Sequence, residues 1–196
     1  MLKLMIIKIE KIPSRKCLST LFLSVVFIIS VASSVIAKEA TLAEIEKAKK
    51  LSLEAIDLMD KYGGNGDDIN KAFALANEAI SLNENCAEAY VAAGSALHHA
   101  AYRSGDEFDD SLLKKALSLY EKAILLDGKL RKAHGGRGYI LTILKRYDEA
   151  HKEADIVERI DKSSCVDIQI RAGVYKANGN IDMAISEYIK ELSCPL

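Results

Sequence analysis

Apolar residues recur at intervals of three and four positions from about residue 41 to the end of the chain. This spacing places them on one face of an α-helix, and the alternating β-branched runs that indicate strands are few. Residues that favour turns interrupt the pattern, so helices are expected between the interruptions. The interruptions are residues 63–68, 83–85, 104–110, 127–129, 161–164 and 178–180. The pattern predicts an all-α fold in which the helices pair into four hairpins.

A period of 34 residues connects three alanines, Ala116, Ala150 and Ala184. The residues around them follow the same step. It relates Tyr120 to Ala154 and Tyr188, and Leu126 to Ile160 and Cys194. A period of roughly 20 to 50 residues is typical of stacked copies of one supersecondary unit. The chain is therefore predicted to be a repeat protein.

Residues 131–164 form the clearest unit, with Gly138 and Leu141 on its first predicted helix. The second helix opens with the sequence RYDEA and carries Ala150, Ala154, Val157 and Ile160. Small residues at Gly138 and Ala150 allow the two helix backbones to approach closely. This segment resembles the tetratricopeptide repeat, a helix-turn-helix unit of 34 residues. The resemblance implies an all-α solenoid of helical hairpins that winds into a right-handed superhelix.

The resemblance covers four predicted hairpins, at about residues 41–85, 87–129, 131–164 and 165–196. The last one matches through Ala172, Tyr175, Gly179, Ile181, Ala184 and Tyr188. The second one matches through Tyr90, Gly94, Ala116, Tyr120, Ala123 and Leu126. The first fits well only over residues 69–85, where Ala72 and Ala79 hold the small-residue positions.

The second hairpin contains ten extra residues. Gly94 precedes Ala116 by 22 residues, whereas Gly138 precedes Ala150 by 12. The extra residues lie around the sequence RSGDEFDD. We expect them to add a turn to each helix of this hairpin.

The resemblance implies that the first helices of the hairpins line a concave groove, in which a protein or peptide partner binds. The groove positions are Glu88, Val91, Ser95, His98 and His99 in the second hairpin, Lys132, Gly135, Tyr139, Thr142 and Ile143 in the third, and Val166, Gln169, Gly173, Lys176 and Ala177 in the fourth. The alternative is that these residues form only the solvated inner wall of the solenoid.

Some members of the family grip a C-terminal carboxylate with lysines, asparagines and an arginine in the groove, because a buried carboxylate needs several charge-assisted donors. Val91, Ser95, Gly135 and Tyr139 occupy the matching places here. This clamp is therefore absent, and the groove is expected to suit an apolar or helical peptide instead.

The N-terminal segment is basic and then apolar. Residues 18–37 carry no charge and follow five lysine and arginine residues. This order is typical of a secretory signal peptide, residues 1–37, with a cut between Ala37 and Lys38. It predicts a periplasmic or secreted protein. The alternative is an uncleaved inner-membrane anchor formed by residues 18–37, which is long enough to span a bilayer.

Cleavage would leave 22 Lys and Arg against 27 Asp and Glu, a net charge of −5. Such a chain repels phosphate backbones, and no basic cluster with interleaved aromatic residues offsets the repulsion. Nucleic acid is therefore excluded as an expected partner.

Three patterns that could indicate chemistry are interpreted as structural. His98 and His99 are adjacent, so their side chains should diverge by about 100° on a helix and not chelate one metal. The run HGGRG, residues 134–138, lacks the strand and the GKS or GKT ending of a phosphate loop. The acidic run DEFDD ends at Asp110. Asp109, Asp110 or the following Ser111 is expected to cap a helix that begins at Leu112. No enzyme activity, cofactor or metal is expected.

The exported chain would retain three cysteines, Cys86, Cys165 and Cys194. Cys165 opens the first helix of the last hairpin and Cys194 closes the second. Because antiparallel packing brings these ends to the same edge, a disulfide between them is one hypothesis. Reduced or buried thiols are the alternative.

The last predicted helix carries Ile185, Tyr188, Ile189 and Leu192, and no further hairpin follows it in the sequence. Solenoids generally need a polar cap at their ends. Part of this apolar set is therefore expected to pack against a partner or a second copy of the chain.

These features favour a non-catalytic adaptor that holds a protein or peptide in a bacterial cell envelope. The alternative is an accessory subunit of an envelope enzyme or transporter, or a small enzyme that uses the inserted segment and the histidine pair.

Overall fold

The computed structural model describes residues 40–105 and 107–194. Over these residues the chain forms eight α-helices and one short β-hairpin. They are α1 (Leu42–Asp60), α2 (Gly66–Leu82), α3 (Ala87–Ala101), β1 (Tyr102–Ser104), β2 (Glu107–Phe108), α4 (Asp110–Leu126), α5 (Arg131–Ile143), α6 (Tyr147–Ile160), α7 (Val166–Ala177) and α8 (Ile181–Glu191). The predicted leader, residues 1–37, lies outside the described residues.

The helices pack as consecutive pairs, α1 with α2, α3 with α4, α5 with α6, and α7 with α8. The second helix of each of the first three pairs also contacts the first helix of the next pair. The first helices form a further row, because α1 contacts α3, α3 contacts α5, and α5 contacts α7. The predicted all-α solenoid of helical hairpins is therefore confirmed.

Side-chain caps set several helix starts. The Thr41 hydroxyl accepts from the Glu44 amide at 3.3 Å, and the Glu44 carboxylate accepts from the Thr41 amide at 2.8 Å, which forms a capping box before α1. Asp109 caps α4 by accepting from the amides of Ser111 and Leu112. The predicted cap is thus Asp109, although the helix begins at Asp110 and not at Leu112.

Alanines occupy buried positions between the packed helices. Ala116 and Ala150 are fully buried and Ala184 is 3% exposed, so the 34-residue period marks packing positions on α4, α6 and α8. A methyl side chain lets two helix axes approach, and larger side chains fill the remaining space. The largest apolar ones that are fully buried are Leu113, Ile140, Leu141, Ile170, Val157 and Val174.

The inserted residues form a β-hairpin, and the prediction of an extra turn on each helix is wrong. The helices α3 and α4 have 15 and 17 residues, against 13 and 14 in α5 and α6. Each is therefore longer by less than one turn of about 3.6 residues. In the hairpin, Tyr102 pairs with Phe108, and their rings meet edge-on at 5.7 Å. Aromatic side chains favour strands, and Gly105 adopts the positive φ of 56° that the turn requires.

A disulfide joins Cys165, which immediately precedes α7, to Cys194, which follows α8, with 6.2 Å between their Cα atoms. Cys86 is a free, buried thiol. The apolar stretch 18–37 lies outside the part of the chain that the structure describes. Of the helices within that part, none is long and apolar enough to cross a membrane.

Candidate functional site: the groove between the first helices

A cavity of about 280 Å³ opens between the first helices of all four hairpins. We call it the main groove. Its lining residues are Ile56 and Asp60 of α1, Val91, Ser95, His98 and His99 of α3, Tyr120 of α4, Arg131, Lys132, Gly135, Gly136 and Tyr139 of α5, and Val166 of α7. Eight of the predicted groove residues therefore converge here.

The floor of the main groove is the ring of Tyr120, which reaches in from α4. Gly94 on α3 and Gly136 on α5 lie against this ring, and a β-carbon at either position would crowd it. Burial raises the pKa of Tyr120, and the Ser95 side chain hydrogen-bonds to it. The run HGGRG lies inside α5, so its glycines provide close helix packing and not a phosphate loop.

The cations of the main groove are paired. Lys132 donates to both carboxylate oxygens of Asp60, at 2.8 and 2.7 Å, and so connects α5 to α1. Arg131 lies 3.4 Å from the Asp161 carboxylate. The groove therefore presents little uncompensated charge to a ligand.

His98 and His99 contribute neutral rings. Burial, with a smaller contribution from His99, lowers the pKa of His98 to about 4, and burial also lowers the pKa of His99. The prediction that the two side chains diverge is wrong, because their rings stack with 5.6 Å between centroids and 18° between planes. The His99 ring also packs at 4.7 Å from that of Tyr62, which helps to hold it beside His98. Within the described residues, no group of three or more His, Cys, Asp or Glu side chains could hold a metal ion.

Tyr139 closes one side of the main groove. Its hydroxyl donates to Gln169 Oε1 at 2.5 Å, and Gln169 Nε2 donates to Glu191 Oε1 at 2.5 Å. Burial and the nearby Glu191 carboxylate raise the pKa of Tyr139 to about 12. Gln169, a predicted groove residue, thus acts as a link between Tyr139 and α8.

The remaining predicted residues separate into two groups. Thr142, Ile143, Gly173, Lys176 and Ala177 line a second cavity of about 540 Å³, together with Phe108, Lys145 and Tyr147. Glu88 lines neither cavity, and its carboxylate lies 3.8 Å from the Cys86 thiol. The single groove predicted from the repeat is therefore divided.

The repeat positions did not include five residues of the main groove, which are Ile56, Asp60, Tyr120, Arg131 and Gly136. The first two lie on α1, which matches the repeat weakly. Ser52, Ala55 and Met59 are buried and recur at intervals of three and four residues. This spacing could have shown which face of α1 packs against the other helices. Tyr120 belongs to a second helix, so no rule based on first helices would have selected it.

Several solved structures share the described fold. The TPR domain of Arabidopsis OM64 superposes with a TM-score of 0.54 at 22% identity, over 68% of this chain and 98% of that one. The TPR2B domain of yeast Sti1, in complex with pHsp70, has a TM-score of 0.53 at 21% identity, over 69% and 98%. The first TPR of Spaghetti (RPAP3), bound to the HSP90 peptide SRMEEVD, has a TM-score of 0.55 at 14% identity, over 74% and 99%.

No protein-family model matches the sequence, and no curated protein matches it significantly. At these identities the structural likeness establishes the architecture alone. The row of first helices, the buried alanines at the 34-residue step and the superpositions agree on one conclusion. The chain has the fold of tetratricopeptide-repeat domains.

Proposed function

We propose that this protein is a non-catalytic scaffold that binds a peptide or a segment of a partner protein in the main groove. The observation that carries the proposal is the convergence of four first helices on a cavity whose walls are largely apolar. Peptide-bound structures of the same fold, those of yeast Sti1 and RPAP3, support it.

The chemistry of the groove favours an apolar ligand. Ile56, Val91, Tyr139 and Val166 offer apolar surface, and the histidine rings are neutral at pH 7. Lys132 is already held by Asp60. An amphipathic helix or an apolar extended segment fits this surface best.

The test is a pull-down with a variant that places a charge in the groove. Val166→Glu should abolish capture of the partner, because it puts a carboxylate on the apolar wall. Leu125→Glu is the matched control, since Leu125 is exposed on α4 and does not line the groove. Equal capture by both variants, with unchanged thermal melting, would exclude the main groove as the binding surface.

The cell envelope as the setting is part of the proposal. The basic and then apolar N-terminal segment supports export, and the Cys165–Cys194 disulfide suits an oxidising compartment. Fractionation of cells that express the full chain, with mass spectrometry of its N-terminus, tests both export and cleavage. A full-length chain in the cytoplasm would contradict export, whereas a full-length chain in the inner membrane would favour the anchor.

Pairing of two copies through α8 is also proposed. Ile185, Ile189 and Leu192 are exposed, by 51%, 61% and 86%. The other second helices, α2, α4 and α6, pack on the first helix that follows. Ile189→Glu with Leu192→Glu should therefore convert a dimer to a monomer in sedimentation. An unchanged sedimentation mass together with unchanged capture of the partner would exclude pairing through α8.

A further inference from the structure

We propose that the inserted β-hairpin builds a second binding site, which takes a peptide segment that carries an apolar side chain beside a carboxylate. The site is the cavity of about 540 Å³ between Phe108 of β2 and the C-terminal ends of α5 and α7. Its volume is in the range of about 300 to 1,000 Å³ that ligand pockets occupy. It shares no lining residue with the main groove, so it stands independently of the function proposed above.

Two exposed lysines at this cavity supply the charge. Lys145 and Lys176 both line it, and neither has an ion pair or a side-chain hydrogen bond to a described residue. The lysine of the main groove differs, because Lys132 is held by Asp60. Two unpaired cations beside a cavity with both polar and apolar walls attract a carboxylate and orient it.

The backbone at Lys145 fixes the position of this lysine. This lysine adopts a φ of 59°, in the left-handed region, and the residue 34 positions later is Gly179, with a φ of 79°. A left-handed conformation costs a residue with a β-carbon roughly 1–2 kcal/mol, whereas glycine adopts it freely. The third hairpin therefore places a lysine where the fourth uses the favoured glycine. The turn also closes α5, because the Arg146 amide donates to the Leu141 carbonyl at 2.8 Å, and it holds Lys145 beside the cavity that it lines.

The walls of the cavity suit an apolar side chain. Phe108 is held edge-on by Tyr102, and the Tyr147 hydroxyl donates to the Ala177 carbonyl at 3.2 Å. Ile143 adds an aliphatic surface. A β-carbon at Gly173 would meet only Thr142, at 3.7 Å, so this part of the floor is open. An apolar side chain of the peptide can therefore enter between the rings of Phe108 and Tyr147, while the carboxylate of an adjacent peptide residue reaches the lysines.

The electrostatic environment favours a carboxylate over a phosphate. The helices α5 and α7 end at Ile143 and Ala177 and direct the partial negative charge of their C-termini toward this region, while α6 begins at Tyr147 and directs the partial positive charge of its N-terminus there. The two positive charges of the lysines offset the single negative charge of a carboxylate together with the net partial negative charge of these helix ends. A doubly charged phosphate would be opposed more strongly, and so would a nucleotide.

The experiment compares two fluorescein-labelled hexapeptides, one with alternating Leu and Glu and one with each Glu replaced by Gln. Each is titrated against the full-length chain in a non-ionic detergent and followed by fluorescence anisotropy. The acidic peptide should bind about fivefold more tightly than its Gln counterpart. The double variant Lys145→Gln with Lys176→Gln should remove this preference. The matched control, Lys162→Gln in the turn between α6 and α7, should keep it.

Two further variants locate the peptide. Phe108→Ala should weaken both peptides at least fivefold, because it removes one aromatic wall without changing charge. Leu125→Glu, on the exposed face of α4 and outside both cavities, should leave both affinities unchanged. The proposal is overturned by equal binding of the two peptides, by no binding of the acidic one, by a preference that survives the double lysine change, or by unchanged binding in Phe108→Ala. Displacement of the peptide by inorganic phosphate more effectively than by acetate would overturn the carboxylate assignment.

Discussion

Gly136 on α5 lies directly against the phenol ring of Tyr120 on α4, so a β-carbon at residue 136 would overlap the ring. The contact forms part of the floor of the main groove. Gly136→Ala should therefore force the ring or α5 to move, at a cost of about 1–3 kcal/mol in the free energy of unfolding. Urea denaturation measures this loss.

Gly173→Ala is the matched control for that change. Gly173 also lies within a first helix, but a β-carbon there would meet only Thr142, at 3.7 Å. Alanine is the better helix former, so this variant should be unchanged or stabilised by up to about 1 kcal/mol. Equal destabilisation by the two alanines would contradict the close contact at Tyr120.

Glu153 anchors a buried polar cluster between α5 and α6. It is 4% exposed, its Oε2 lies 2.7 Å from His134 Nδ1, and Arg137 donates to its Oε1. Glu153→Leu should cost about 3 kcal/mol in the free energy of unfolding, because it leaves the partly buried guanidinium without its closest anion. Chemical denaturation at pH 7 tests this expectation.

Glu158→Leu provides the comparison. Glu158 pairs with Arg171 at 2.8 Å, but about half of its side chain is in contact with water. An exposed pair contributes less than about 1 kcal/mol, so the variant should remain close to wild type. A loss at Glu158 as large as that at Glu153 would show that burial does not control the cost.

His98 should make stability depend on pH. Its pKa is lowered to about 4 in the fold, mainly by burial, and lies near 6.5 when the chain is unfolded. The neutral ring therefore stabilises the fold fully above pH 6.5, and this contribution falls as the pH drops toward 4. Between pH 7.5 and 5, the wild type should lose about 1–2 kcal/mol more than His98→Gln. Parallel losses in both proteins would contradict the shift.

The Cys165–Cys194 disulfide closes a loop with a sequence separation of 29 residues. In the chain-entropy model, a loop of this length contributes about 3–4 kcal/mol. Cys165→Ser with Cys194→Ser should lose this amount in urea denaturation. Dithiothreitol should destabilise the wild type equally and leave the double variant unaffected. Two free thiols in a non-reduced digest would show that the bridge is absent.

The hairpins were predictable because helices and their connecting turns depend largely on residues close together in the chain. The 34-residue step between Ala116, Ala150 and Ala184 located three second helices, and these alanines are buried as packing positions. The prediction for the inserted segment is wrong for a related reason. Helical spacing continues to Ala101, but the pairing of Tyr102 with Phe108 depends on strand formation across the turn at Gly105.

The candidate sites were predictable only in part. The repeat positions placed Val91, Gly135 and Tyr139 in one groove, and the structure brings them together. The same positions also included Thr142 and Lys176, which lie in the second cavity because the β-hairpin supplies another wall. The repeat pattern contains no information about a wall that occurs in one hairpin alone.

Local spacing in the sequence therefore determined the class of fold, the helices and the face of each helix that is buried. Stacking of the hairpins decided which side chains meet. Asp60 and Lys132 are 72 positions apart, and their ion pair forms only because α1, α3 and α5 pack in a row. Tyr120 likewise enters the main groove because two glycines on neighbouring helices leave room for its ring. Such contacts depend on the relative positions of whole helices, which neighbouring residues in the chain do not specify.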